Sequence, residues 1–174
     1  SEGLAIYDDI HDEMWVVSGN DKNIYRYSLD AAFPDDGSSL PAVFEIGLDT
    51  ANIGAIGLAI DSTYLYVLDF KTSGSDKEMR FYRYDRITGD CGIGDISKVL
   101  KDATGSDIGH PGCTGGAMFD GTFPNGSLWV VDSGTNKVYR YDNIATSLFP
   151  DDGNPVNADF EFALDGNNTD ATGV

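Results

Sequence analysis

The chain has 174 residues, 41% of them hydrophobic and 11% aromatic, which is enough for one domain with a buried core and argues against global disorder. Eleven Lys and Arg stand against 29 Asp and Glu, a net charge of −18, so no basic patch exists to displace counterions from nucleic acid or to seek an anionic membrane. No apolar run approaches the length of a membrane-spanning helix, and membrane insertion is excluded on that pattern.

Of the acids, 24 are Asp and five are Glu. Glu suits helix interiors, whereas Asp suits caps, turns and ion-binding loops. With 21 Gly and no sustained 3.6-residue apolar period, the expectation is an all-β chain of short strands and many turns.

In chain order the first segment, 3–56, opens on the small-residue strand Gly3-Leu4-Ala5-Ile6 and continues with Met14-Trp15-Val16-Val17. Tyr25-Arg26-Tyr27 follows, and a polar excursion through Phe33-Pro34-Asp35-Asp36-Gly37 leads to a fourth strand near 42–46. The second segment, 57–115, repeats the order with Gly57-Leu58-Ala59-Ile60, Leu65-Tyr66-Val67-Leu68, Tyr82-Arg83-Tyr84 and a strand near 96–100. The third, 116–174, has Gly116-Ala117-Met118-Phe119, Leu128-Trp129-Val130-Val131 and Tyr139-Arg140-Tyr141. The excursion at 149–153, again Phe-Pro-Asp-Asp-Gly, then leads to a strand near 158–163. The Tyr-Arg-Tyr triplets recur at a spacing of 57 residues in both intervals. Internal repetition at such a period is a signature of modular β architecture.

Four strands per unit in this order resemble the blades of the β-propeller superfamily, and the run from Leu128 to Asp142 is similar to NHL-type and related six-bladed repeats. The resemblance implies three four-stranded antiparallel blades, half of a six-bladed ring. Three blades do not close, so the expected partner is a second copy joined head to tail, with Trp15 and Trp129 at the contacts. The chain begins at an inner strand and ends where the next would start, which suits that joining; a fragment of a longer chain is the alternative. The function expected is a binding or assembly module for a protein or carbohydrate ligand. The alternative is a lyase or hydrolase acting on a polysaccharide or small ester at an axial site.

Few residues point to chemistry. Asp8, Asp61 and Asp120 each close the first strand of a unit, where carboxylates either gather Ca²⁺ or accept turn hydrogen bonds. Acidic loops at 35–37, 151–153 and 165–170 carry the same two readings, without the EF-hand spacing. Cys91 and Cys113 can form one disulfide, which would place the chain in an extracellular or periplasmic compartment. His110 and His11 are the only neutral-pH bases, and His110 is the weak catalytic candidate because propeller lyases use a histidine near the axis. The Tyr-Arg-Tyr strands either pack between units or present an aromatic and Arg stripe to a ligand. Asn125-Gly-Ser127 and Asn167-Asn-Thr169 match the glycosylation sequon and decide nothing. Charge is uneven: 57–115 holds 9 acids and 7 bases, and its hairpin residues Lys71, Lys77, Arg80, Arg83 and Arg86 either meet an acidic surface of a partner or second copy or stand solvated.

Overall fold

Strands dominate the architecture because short apolar or alternating segments are separated by Gly- and Asp-rich turns, and nothing in the sequence sustains a helical face. The structure is a computed structural model that describes residues 2–7, 12–29, 38–52, 54–73, 76–91, 97–109, 115–120, 126–143 and 154–167. Among these there is no helix, and so none long and apolar enough to cross a membrane.

Thirteen strands form three sheets. The first sheet is an antiparallel meander of β1 (Glu2–Tyr7), β2 (Glu13–Ser18), β3 (Asn23–Ser28) and β4 (Phe44–Gly47). The middle sheet runs through β5 (Ala55–Ile60), β6 (Tyr64–Ser73), β7 (Asp76–Asp85) and β8 (Ser97–Lys101). The third contains β9 (Gly115–Asp120), β10 (Ser127–Asp132), β11 (Lys137–Tyr141) and β13 (Phe160–Ala163). Between β11 and β13 the chain adds β12 (Val156–Asn157) to the edge of the middle sheet, parallel to β8 and opposite Leu100 and Lys101.

That crossing overturns the propeller resemblance. A blade is a sheet of four antiparallel strands from one unit, whereas the middle sheet has five strands, is mixed, and takes one from the third segment. The repeat in sequence sets which side chains alternate along each strand. It does not set what pairs with the free edge of β8, whose open N–H and C=O groups accept any strand that reaches them. The amide of Ala158 donates to the Lys101 carbonyl at 3.0 Å and extends this seam by one more bond.

The sheets stack face to face. Trp15, Val17, Ile24 and Ile46 of the first sheet meet Leu65, Val67, Tyr82 and Tyr84 of the middle one, all fully or almost fully buried. Its opposite face, with Tyr66, Leu68, Met79 and Phe81, meets Leu128, Val130, Tyr139 and Tyr141 of the third. Burying both faces of the middle sheet explains the unbroken apolar run in β6.

Loops entering the middle and third sheets are fixed by one device. Asp69 ends the apolar run of β6 and its Oδ1 accepts from the Gly54 amide at 2.6 Å. Asp132 stands at the same place in β10, and its Oδ2 accepts from the Gly109 amide at 2.9 Å. Both glycines are required sterically. A Cβ at Gly54 would lie 2.4 Å from the Phe70 carbonyl oxygen, and one at Gly109, whose φ is +96°, would lie 2.7 Å from the Phe70 ring.

Candidate functional site

The most distinctive side-chain pattern is a row that crosses β2, β3 and β4. Register places Trp15 opposite Arg26, and Arg26 opposite Phe44, so the three share one face. The Arg26 guanidinium lies between the rings, 5.6 Å from the Trp15 centroid and 5.2 Å from that of Phe44. Such stacking is favourable because the negative ring face meets a weakly hydrated cation. The third sheet repeats it with Trp129, Arg140 and Phe160, at 5.6 Å and 5.4 Å.

The two rows differ in what covers them. Over Trp15 lies the middle sheet, whose Arg86 guanidinium sits 6.0 Å from the indole and donates to Glu13 at 2.7 Å. Glu13 also pairs with Arg26 at 3.2 Å, and Trp15 is fully buried. Trp129 is only half-buried, and beside it Met118, Phe160 and Phe162 are 42%, 48% and 41% exposed. Phe160 and Phe162 stand two apart on β13, with ring centroids 6.2 Å apart. Large exposed apolar residues gathered on one sheet face mark an interaction surface.

The opposite end of the stack has the reciprocal feature. Leu65, Val67, Tyr82 and Tyr84 are buried against the Trp15 row, and Leu128, Val130, Tyr139 and Tyr141 are buried against the middle sheet. Their counterparts in the first sheet, Met14, Val16, Tyr25 and Tyr27, are all half-buried. The chain thus presents a Trp face at one end and the kind of face that covers a Trp row at the other.

The seams between sheets also carry specific polar contacts. The Tyr84 hydroxyl accepts from the Asp49 amide at 3.0 Å and from the Asn52 side chain at 3.1 Å, while Tyr82 donates to the Ala51 carbonyl at 3.0 Å. Tyr141 donates to the carbonyl of Lys101, the last residue of β8, at 3.0 Å; by register this position corresponds to Asp49 just after β4. Burial pushes the Tyr84 and Tyr141 hydroxyls well above the usual range, so both stay neutral.

The residues singled out from the sequence fall in separate places. Asp61 is buried and folds its own turn: Oδ1 accepts from the Thr63 and Tyr64 amides at 2.6 and 2.7 Å, and Oδ2 from the Tyr66 hydroxyl at 2.7 Å. Asp120 is exposed at the end of β9, opposite Ser127. Asp8, His11, His110 and Cys113 lie outside the described residues, as do the loops at 35–37 and 151–153. Cys91 packs half-buried against the core between the first and middle sheets, near Tyr84. Among the described residues no group of three or more His, Cys, Asp or Glu is gathered to hold a metal ion. The basic hairpin is largely occupied within the chain: Arg80 pairs with Glu78 at 2.7 Å, Arg83 stacks 4.4 Å from the Tyr64 centroid, and Arg86 reaches Glu13.

Sequence reasoning missed Asp69 and Asp132. Their signal was available as an acid closing the apolar strand at the same place in two segments, Leu-Tyr-Val-Leu-Asp and Leu-Trp-Val-Val-Asp. No protein-family model matches the chain, and no curated protein matches it. The propeller resemblance therefore has no support from relatives either, and the surface must be read from its own geometry.

Proposed function

We propose that this chain is an acidic all-β assembly module whose partner is a second copy of itself. In the pair, the Trp129 face of each copy seats on the Met14, Val16, Tyr25 and Tyr27 face of the other. This gives two identical head-to-tail contacts about a twofold axis. What carries this reading is the contrast between two like rows: Trp15 is buried by the middle sheet, and Trp129 is half-exposed with nothing comparable over it among the described residues. Each contact would continue the interface that already joins the first and middle sheets, with the same residue types on both sides.

The chemistry favours an occupant of this kind. A carbohydrate would need free polar groups converging around the rings, but Arg140 between them is paired with Asp142 at 3.0 Å, and among the described residues the exposed large neighbours of Trp129 are Met118, Phe160 and Phe162. Light scattering after size exclusion should report about twice the 18.7 kDa of the chain at low micromolar concentration. Trp129→Asp should give a monomer that keeps its circular dichroism, because the change removes apolar contact area and places a carboxylate where it must be desolvated. A well-folded monomer formed by the unaltered chain overturns the proposal.

A further inference from the structure

Within the chain, each seam is locked by a tyrosine from the next sheet acting on the backbone at or just past the end of the last strand of the previous segment. The locked position is Asp49 in one seam and Lys101 in the other, and the tyrosines are Tyr84 and Tyr141, the second of their triplets. Tyr27 holds that place in the first sheet, and no hydrogen bond of its hydroxyl is formed among the described residues.

The loop after β13 is built like the loop after β4. Leu48 donates its amide to the Lys22 carbonyl at 2.8 Å, and Leu164 donates to the Asn136 carbonyl at 2.9 Å. Lys22 and Asn136 share left-handed φ values of 55° and 54°. Asp49 Oδ1 then accepts from the Ala51 amide at 2.7 Å, and Asp165 Oδ1 accepts from the Asn167 amide at 2.9 Å. The same turn thus presents the same backbone groups. In one case Tyr84 and Tyr82 take them; in the other no such bond is formed among the described residues, and Asp165, Gly166 and Asn167 are all exposed.

We infer that residues 164–167 are the polar latch of the contact between copies: Tyr27 of one copy accepts the Asp165 amide of the other, and Tyr25 donates to the Asn167 carbonyl. The inference rests on the head-to-tail reading and assigns its hydrogen-bonding groups. It also explains why two tyrosines stand on a face otherwise made of Met14 and Val16. Tyr25 already accepts from the Asn23 side chain at 3.3 Å, so the partner has to supply it only an acceptor, whereas the Tyr27 hydroxyl has to be satisfied from the partner once the face is covered.

The test uses the whole chain. Sedimentation equilibrium is run on the unaltered protein, on Tyr27→Phe, on Asp165→Ala and on the double variant, with near-ultraviolet circular dichroism confirming the fold of each. Losing one hydrogen bond in each of two identical contacts should weaken dimerisation by about 10- to 100-fold for Tyr27→Phe. The double variant should lose less than the product of the two single losses, because both act on one contact. A photo-crosslinking benzoylphenylalanine in place of Tyr27 should attach to a peptide containing 164–167 from the other copy. A dimer that Tyr27→Phe leaves unchanged, or a crosslink to another segment, overturns the latch while the head-to-tail reading stands. If the unaltered chain is monomeric, both fall together.

Discussion

Asp132 shows how a single charged residue can organise a loop from inside the protein. It is fully buried, and three donors satisfy it: the Gly109 amide on Oδ2, the Gly134 amide on Oδ1 and the Thr135 hydroxyl on Oδ2, each at 2.9 Å. Removing the carboxylate would leave the Gly109 and Gly134 amides and the Thr135 hydroxyl without their acceptor; Gly134 is exposed and can turn to water, whereas Gly109 is half-buried and its desolvation would go uncompensated. Asp132→Ala should therefore destabilise the fold by about 2–4 kcal/mol, read as a fall in the urea midpoint. Asp142→Ala, which removes a partly exposed pair with Arg140 at 3.0 Å, should cost less than about 1 kcal/mol. Equal losses from the two would show that the Gly109 and Gly134 contacts contribute little.

At the scale of elements, the strands and their pairing order within each segment were legible, and the extra strand β12 with its parallel partner was not. Alternation and the Tyr-Arg-Tyr spacing place residues correctly in β3, β7 and β11, because side-chain direction in a strand depends only on local geometry. Pairing between segments is non-local, so nothing within Val156-Asn157 announces that it joins β8 rather than its own sheet. Burial is non-local too: Trp15 and Trp129 have almost the same neighbours in sequence, yet only the first is covered. The seam made by β12 and β13 has a pH signature. Hydrogen bonding from Lys137 at 2.6 Å, then from the Ala103 amide at 3.1 Å, holds the Glu161 carboxyl below its ordinary 4.5. A carboxyl depressed in the folded state stabilises fully above its unfolded value, and that contribution is lost as pH falls through the folded value. Lys137 is raised by the same hydrogen bond, so its share holds below its ordinary 10.5 and is lost as pH rises through the folded value. Glu161→Gln should therefore be less stable than the unaltered protein at pH 7, with the difference shrinking as the pH is taken below 4.5. Urea titrations at pH 7, 4 and 3 measure this, and a difference that does not change with pH would show that the carboxylate charge is not what holds the seam.

For the whole molecule, the charge of −18 opposes the assembly that the apolar faces favour. Two copies approaching head to tail repel each other over distances set by the Debye length, which falls from about 30 Å at 0.01 M salt to about 8 Å at 0.15 M. The internal seams escape this because chain connectivity holds the sheets together and ion pairs such as Arg86–Glu13 sit across one of them. The proposed contact between copies would have no such tether, and its attraction would come from Met118, Trp129, Phe160 and Phe162 closing on Val16 and Tyr25, which salt does not screen. Raising sodium chloride from about 10 mM to about 150 mM should therefore tighten dimerisation, by roughly tenfold if screening removes about 1.4 kcal/mol of repulsion. The same titration on Trp129→Asp should show no dimer at either salt concentration. Dimerisation that weakens as salt rises would mean that charge pairs hold the copies together, and the Trp129 face would then not be the source of the affinity.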